Sequence, residues 1–242
     1  MLHALVLALF LATGAQSSLS EANQRGQTAL QQRRYADAVA AFDEALSLAP
    51  PNNADLLAGL HYYKAAALGA MGDVLTGIAH AKQAIRYSPK EEAYRQLLTR
   101  LEEEASRSVI PADKISRALK AARSFAAEAS IDLWVNYDFD KDSLSATGRQ
   151  QAAALAEALK SDTLSGSSFL LIGHTDAQGT DEYNMDLSKR RAARLADYLV
   201  NEQKIPAARL RTEGRGERQL KVTGVQEKDH AINRRVEIQI VN

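Results

Sequence analysis

The strongest structural signal in the chain is the run Ile172-Gly-His-Thr-Asp-Ala-Gln-Gly-Thr-Asp-Glu-Tyr-Asn-Met-Asp-Leu-Ser-Lys-Arg-Arg-Ala192. It predicts the end of a buried strand, a polar loop that contains glycines, and an amphipathic helix. One arginine and three leucines recur every fourth residue of that helix, at Leu187, Arg191, Leu195 and Leu199. Arg191 therefore lies on or beside the apolar stripe. A guanidinium stays protonated, and burying it unpaired costs several kcal/mol, on the order of 3 to 5, so it needs an anion.

The nearest candidate anion in sequence is Asp176, in the loop just before the helix. Two arrangements are open. The two side chains can form an ion pair that only ties the loop to the helix, or they can be held apart to bind a zwitterion. In the second case the planar guanidinium offers a carboxylate two parallel hydrogen bonds, which a lysine cannot match.

Strand and helix patterns alternate on both sides of this run. Apolar residues alternate with polar ones from Ile131 to Phe139, which predicts a strand of period two. Ser145 to Lys160 has a helical pattern, and Phe169 to Ile172 is a continuous apolar run, typical of a strand covered on both faces. Further strands are expected near 209–214 and 236–240. The pattern predicts an α/β sandwich with a mixed sheet.

Loops at the carboxyl ends of adjacent strands collect on one side of such a sheet, where ligands usually bind. The loops 138–142 and 173–184 both emerge at such ends. We therefore expect four polar or aromatic side chains to lie close together there: Phe139, Asp140, Asp176 and Asn184.

Four ordered blocks in this half share their spacing with a known family. They are Tyr137-Asp-Phe-Asp-Lys141, the run from Gly173 to Ala192, Gly214-Arg-Gly-Glu217 and Asn233-Arg-Arg-Val236. Over about 110 residues, from Ile131 to Asn242, the chain resembles the OmpA-like C-terminal domain. This family is the peptidoglycan-binding module of outer-membrane proteins, Pal-type lipoproteins and flagellar stator proteins.

The resemblance implies a binding site for the diaminopimelate of the peptidoglycan stem peptide. Asp176 would bind the ammonium group, Arg191 the carboxylate, and Asn184 would add hydrogen bonds. The same implication extends to further residues of the matching motifs: Phe139, Asp140, Thr175 and one of Arg234 and Arg235. Where the family often has a proline after its third block, this chain has Leu220, so the loop 218–231 departs from the family pattern.

The N-terminal half, residues 19–107, has helical periodicity throughout. Small residues, one large apolar residue and a terminating proline occur at the spacing of a tetratricopeptide repeat: Gly26, Ala29, Ala38, Phe42, Ala45 and Pro50. A looser second copy ends at Pro89, and a helix over 91–107 is expected to close the stack. Two interpretations are open: a groove that binds a partner peptide or helix, or a short helical spacer. Self-association is plausible for so few repeats.

Two shorter segments complete the organisation of the chain. Residues 2–12 are apolar apart from His3 and are followed by small residues, which is typical of a secretory signal peptide, expected over 1–18. An uncleaved anchor is the alternative. Residues 108–130 are expected to form a helical, semi-rigid linker, because glycine is absent there.

Composition excludes several classes of function. Lys plus Arg equals Asp plus Glu, 30 each, and the two halves are also balanced, 14 against 13 up to Ser130 and 16 against 17 beyond it. Neither half has the basic excess of a nucleic-acid-binding protein. Cysteine is absent, so no disulfide, thiolate metal site or lipid-bearing cysteine is expected. His174 lacks the neighbouring ligands of a zinc site, and neither a metal nor another cofactor is expected.

These patterns predict an α+β protein in four parts: signal peptide 1–18, tetratricopeptide-like helices 19–107, linker 108–130 and an OmpA-like α/β sandwich 131–242. The expected function is that of a non-enzymatic periplasmic protein, associated with the cell wall or outer membrane and not a lipoprotein. It would bind peptidoglycan non-covalently and present its repeats to an envelope partner. The alternative is an assembly scaffold that acts mainly through the repeats, with wall binding secondary.

Overall fold

The computed structural model describes residues 2–125, 129–138 and 142–241, with side chains described from residue 16 onward. The chain divides into two compact units, Met1–Leu101 and Glu102–Asn242. Within the described residues there are nine α-helices and four β-strands. All four strands belong to the second unit, so the predicted α+β class is confirmed.

The first unit consists of helices that pack as successive pairs, α1 with α2 and α3 with α4. Their bounds are α1 Leu2–Gln31, α2 Tyr35–Leu48, α3 Ala54–Ala70 and α4 Val74–Tyr87, followed by α5 Glu92–Ser106, in which the division between the units falls. The predicted closing helix is therefore present as α5. Its Leu97 and Leu101 are buried.

The core of the first helix pair is built around one aromatic ring. Phe42 is fully buried, among small residues that include Ala22, Ala29 and Ala38. A Cβ added at Gly26 would lie only 2.6 Å from the Phe42 ring. A small residue at this position is thus what allows α1 to approach α2 over the phenylalanine, as the repeat pattern predicts.

Of the residues predicted as a signal peptide, 2–18 lie in α1, which continues without a break to Gln31. Among the described residues, no helix combines the length and apolarity that crossing a membrane requires. The signal peptide and its alternative, an uncleaved anchor, both stay predictions.

The second unit begins with the end of α5 and with α6 Ala112–Phe125. In segment 108–130, predicted as a linker, the described residues 110–125 pack against the rest of this unit. Ile115 and Leu119 are fully buried, and α6 lies on α7, Ala146–Lys160. The backbone of Ile110 also exchanges two hydrogen bonds with the side chain of Gln151, of 2.7 and 3.1 Å.

The sheet has the order β1-β4-β2-β3, and only its β2–β3 pair is parallel. The strands are β1 Ser130–Leu133, β2 Ser168–Gly173, β3 Leu210–Gly214 and β4 Val236–Val241. The remaining helical segments are α8 Asp181–Asp197, a π-helical turn Tyr198–Glu202, a 3-10 turn Ala207–Arg209 and α9 Glu227–Asn233. The predicted mixed sheet with helices is confirmed.

Strand register brings the candidate site together. At one end of the strands, the last residues of β1, β2 and β3 and the first residue of β4 lie side by side as paired neighbours: Leu133, Gly173, Gly214 and Val236. We call this the site edge. The loops after three strands and the segment before the fourth therefore converge there.

The first strand is shorter than its alternating pattern predicts. It ends at Leu133, and the residues that were expected to face solvent are buried at Asp132 and Trp134. Each has a partner that period two does not reveal. Asp132 pairs with Arg235, and the Trp134 indole donates to the Ile232 carbonyl oxygen at 3.1 Å.

Candidate functional site

A cavity of about 520 Å³ opens at the site edge. Its size lies within the range of roughly 300–1,000 Å³ that small-molecule sites occupy. Its walls come from the residues after β1, the loop between β2 and α8, and the segment from α9 to β4. Ser106, at the end of α5, also borders it.

Asp176 lies in the wall of this cavity and is 7% exposed. One carboxylate oxygen accepts a 3.1 Å hydrogen bond from the backbone N–H of Gln178, and the other accepts a 2.8 Å bond from Arg234. The imidazole Nδ1 of His230 is 3.9 Å from the second oxygen. The loop and α9 together therefore fix the direction of this carboxylate.

Arg191 is half-buried on α8 and borders the same cavity. Its guanidinium lies over the ring of Tyr137, 5.1 Å from the centroid, and the Tyr137 hydroxyl donates a 2.9 Å bond to the Arg191 carbonyl oxygen. Burial lowers the pKa of Arg191 and the charge of Arg234 lowers it further, while Tyr137 and Asp176 oppose this. An arginine starts from so high a pKa that it stays charged at neutral pH.

Helix α8 reaches the cavity because β2 ends in a glycine. A Cβ added at Gly173 would lie 2.2 Å from the backbone oxygen of Ser188, so a larger residue would push the helix away. The close packing places Asn184 in the cavity wall, where it is buried. Its side-chain amide donates to the Glu217 carboxylate at 2.5 Å, which joins α8 to the loop after β3.

The two consecutive arginines before β4 have different partners. Arg234 binds Asp176 and the exposed carboxylate of Glu227. Burial lowers its pKa, but these two carboxylates outweigh burial and raise it. Arg235 is 6% exposed and pairs with Asp132 at 2.8 Å. Of the pair, Arg234 is the one that contacts Asp176.

Two buried side chains, His174 and Thr175, directly precede Asp176 in the chain. Thr175 donates its backbone N–H to the Gly216 carbonyl oxygen at 3.0 Å. Its hydroxyl is buried without a hydrogen-bond partner in the described part of the chain. Burial lowers the pKa of His174, although Glu237, 3.5 Å away, opposes the shift. His174 is thus neutral at neutral pH and lies between the loop and β4.

Phe139 and Asp140 lie outside the described residues, so their predicted place in the site stays a prediction. The residue before them, Asp138, borders the cavity. Within the described residues, no group of three histidine or carboxylate side chains is placed to hold a metal ion.

The sequence profile of the OmpA family matches residues 136–234. A peptidoglycan-associated lipoprotein from Pseudomonas putida is 36% identical over 115 residues, which cover 48% of this chain and 68% of the relative. The chain belongs to the OmpA family.

Other relatives of this OmpA-family protein match a similar length of the chain. An outer membrane protein A from Bordetella avium is 42% identical over 108 residues, 43% of this chain and 53% of the relative. A solved structure of the peptidoglycan-associated lipoprotein from Burkholderia pseudomallei is 27% identical, with a TM-score of 0.40 over 44% of this chain and 88% of that one. The chain spans about half or less of the first curated relatives' length.

A second profile, described as a tetratricopeptide repeat, matches residues 21–52. Both predicted resemblances are therefore confirmed. The expectation that this OmpA-family protein is not an enzyme agrees with the relatives named above, which are outer membrane proteins and peptidoglycan-associated lipoproteins.

Several residues that shape the site were not among the predicted site residues. Tyr137 was assigned only to the first motif block, although a tyrosine in the segment after β1 could have indicated a support for a cation. Glu227 and His230 lie on α9, within the loop that departs from the family pattern. No periodicity identifies so short a helix, and only the structure brings it to Asp176.

Proposed function

We propose that this OmpA-family protein is an exported, non-enzymatic protein of the periplasm that binds peptidoglycan non-covalently. One observation carries the proposal. A carboxylate, Asp176, and a guanidinium, Arg191, border one cavity of small-ligand size. A zwitterionic end group has the two charges that such a site complements.

In this proposal the ligand is the diaminopimelate of a stem peptide. Its free ammonium binds Asp176, whose direction is held by Gln178 and Arg234. Its carboxylate accepts hydrogen bonds from Arg191, whose guanidinium lies against the ring of Tyr137. Asn184 and the hydroxyl of Thr175 supply neutral hydrogen bonds. Phe139 and Asp140 are proposed to border the ligand from the loop after β1.

The names of two relatives support a wall ligand. Both are called peptidoglycan-associated lipoproteins, and they are 36% and 37% identical to this chain over 115 and 102 residues. The chain has no cysteine, so we do not propose a lipid anchor attached to a cysteine.

The tetratricopeptide match supports a second role, which we propose for the N-terminal unit. Repeats of this kind bind peptides or helices of other proteins in many contexts. The unit would hold an envelope partner near the wall. The alternative, a scaffold in which the repeats carry the main activity, predicts that substitutions at Asp176 and Arg191 leave the cellular function intact.

Sedimentation with purified sacculi tests wall binding. We expect the wild-type protein to sediment and the Asp176→Ala and Arg191→Ala variants to remain in the supernatant. Arg190→Ala is the matched control, because Arg190 is exposed and pairs with Asp186 on its own helix. Equal sedimentation of all four proteins would contradict the proposal. Soluble muropeptides released during the incubation would contradict its non-enzymatic part.

A further inference from the structure

Four charged side chains form a buried cluster, one member of which, Arg235, also borders the cavity. We call this cluster the charge network: Glu102, Asp132, Lys221 and Arg235. The Lys221 ammonium is 2.7 Å from the Glu102 carboxylate and 2.9 Å from that of Asp132. The guanidinium of Arg235 is 2.8 Å from the other Asp132 oxygen. The side chains of all four are between 3% and 15% exposed.

The network carries no net charge as long as its cations and carboxylates are equal in number. Two cations face two carboxylates, so removing one acid leaves an uncompensated buried cation, which strongly disfavours that arrangement. Burial lowers the pKa of Lys221, but Asp132 and Glu102 outweigh it and raise the pKa. Lys221 is therefore charged, and its position depends on both acids.

Glu102 comes from outside the part of the chain that matches the family. The OmpA profile begins at residue 136, whereas Glu102 lies in α5. The two acids that follow it on that helix, Glu103 and Glu104, are more exposed, and Glu103 pairs with Arg107 on the surface. The buried acid in this helix thus has a structural partner in the OmpA-family domain, at Lys221.

The network is joined to the site through the segment that carries Arg234. Arg235 donates to the Asn233 and Gln219 carbonyl oxygens, each at 3.2 Å. The Asn233 side chain accepts the backbone N–H of Lys221 at 2.8 Å and donates to the Val222 carbonyl oxygen at 2.8 Å. Loop 219–222 and segment 233–235 are therefore one hydrogen-bonded body.

From these contacts we propose that Glu102 is a positioning residue for the peptidoglycan site. It holds Lys221 and thereby loop 219–222 and segment 233–235, so that Arg234 stays on Asp176. Glu102 itself does not contact the ligand. The proposal rests on the proposed function for the identity of that ligand, but the positioning can be measured without any ligand.

Hydrogen exchange of the full chain tests the positioning directly. We expect Glu102→Gln to speed exchange of the amides of Lys221 and Val222 roughly tenfold or more, because their loop loses its anchor. Glu104→Gln, an exposed acid on the same helix, is the matched control and leaves these rates unchanged. Wild-type exchange rates in Glu102→Gln would overturn the proposal.

A second variant separates positioning from loss of stability. Glu102→Met combined with Lys221→Met removes one charge of each sign, so Arg235 and Asp132 remain paired. Replacing a buried ion pair by apolar side chains of similar volume is often neutral for stability. We expect wild-type melting with fast exchange over 219–222. If exchange is slow in this folded variant, Glu102 has no positioning role.

Titration with a diaminopimelate stem peptide links the network to the site. We expect Glu102→Gln to bind roughly fivefold more weakly than wild type, and to cause no further loss in an Arg234→Ala background. Equal affinity of wild type and Glu102→Gln, or an undiminished loss in the Arg234→Ala background, would overturn the inference. Failure of the wild type to bind would overturn the proposed function instead, and the exchange rates would still decide the role of Glu102.

Discussion

Arg191 is the residue on which the proposed recognition depends most. Its guanidinium is held over the Tyr137 ring, in a half-buried position on the cavity wall. A lysine at this position keeps a positive charge but loses the planar fork that binds a carboxylate through two bonds.

We therefore expect Arg191→Lys to weaken stem-peptide binding at least about tenfold, equivalent to roughly 1.4 kcal/mol. Calorimetric titration measures this, and Arg190→Lys on the exposed face is the control. An unchanged dissociation constant for Arg191→Lys would mean that charge alone is recognised.

Tyr137 supports Arg191 through both its ring and its hydroxyl. Tyr137→Phe keeps the ring and removes the 2.9 Å bond to the Arg191 carbonyl oxygen. Such a bond contributes about 1 kcal/mol, so we expect this variant to be less stable by that amount and to bind only a few-fold more weakly. Tyr137→Leu removes the ring as well and should bind more weakly still. Denaturant unfolding measures the change in stability, and titration measures the change in binding. Equal binding by both variants would mean that the Tyr137 ring does not contribute to ligand binding.

The sequence predicted Asp176, Asn184 and Arg191 as site residues from the loop-helix pattern and the family motifs, and the structure places all three in one cavity wall. The sequence could not show which of Arg234 and Arg235 faces the site. The two are adjacent in the chain, and their partners, Asp176 and Asp132, lie far away in sequence. Which arginine meets which acid depends on the packing of α9 and β1, which no local pattern encodes.

Helices α3 and α4 bury a pair of histidines that makes the first unit sensitive to acid. The Nδ1 atoms of His61 and His80 are 2.8 Å apart. Burial, with the charge of Lys64 as a smaller cause, lowers the pKa of His61 to about 4 and that of His80 to about 2. Both rings are therefore neutral in the folded unit at pH values where the unfolded chain binds protons.

Below pH 6.5 the two histidines bind more protons in the unfolded state than in the folded one. Their contribution to the free energy of unfolding is therefore fully present above that pH and is lost as the pH falls toward 4. The loss is up to about 1.4 kcal/mol per pH unit for each histidine. Urea unfolding of the first unit's helices at pH 7 and pH 5 measures it. His61→Leu combined with His80→Leu should reduce the pH dependence, and an unchanged dependence in that variant would place its cause elsewhere.

The contact between β2 and α8 depends on Gly173. Because Gly173 has no side chain, the carbonyl oxygen of Ser188 can lie close to its Cα. A Cβ added at this position would be only 2.2 Å from that oxygen. We expect Gly173→Ala to cost about 1–3 kcal/mol by overpacking and to weaken binding, since α8 carries Asn184 and Arg191. Gly166→Ala is the control, because nothing lies within 4 Å of a Cβ there. Thermal melting and titration provide the readouts, and equal melting of both variants would refute the close-packing argument.

Elements with strong periodicity were predicted well. Helix α7 and strands β2, β3 and β4 lie where their patterns placed them. Strand β1 was predicted too long, because the alternating pattern runs on from Ile131 to Phe139 whereas the strand ends at Leu133. Helix α9 was not predicted, since its 7 residues span too few turns to show a periodic stripe.

The whole molecule combines a repeat unit with an OmpA-family unit, as the two patterns of periodicity predict. The division between them lies at Leu101 and Glu102, inside α5. A change of periodicity marks where strands begin, but it cannot show that α6 packs against β1 or that the end of α5 pairs with loop 219–222. Those contacts depend on single pairs such as Lys221 with Glu102.

The central claim is that one site recognises both charges of a zwitterionic end group. Calorimetric titration of the full chain with two stem peptides, one containing diaminopimelate and one containing lysine in its place, tests this claim most directly. Lysine keeps the ammonium for Asp176 but lacks the carboxylate for Arg191. We predict that the diaminopimelate peptide binds at least about tenfold more tightly, and that Arg191→Ala abolishes the difference. Equal affinity of the wild-type protein for both peptides would contradict the account.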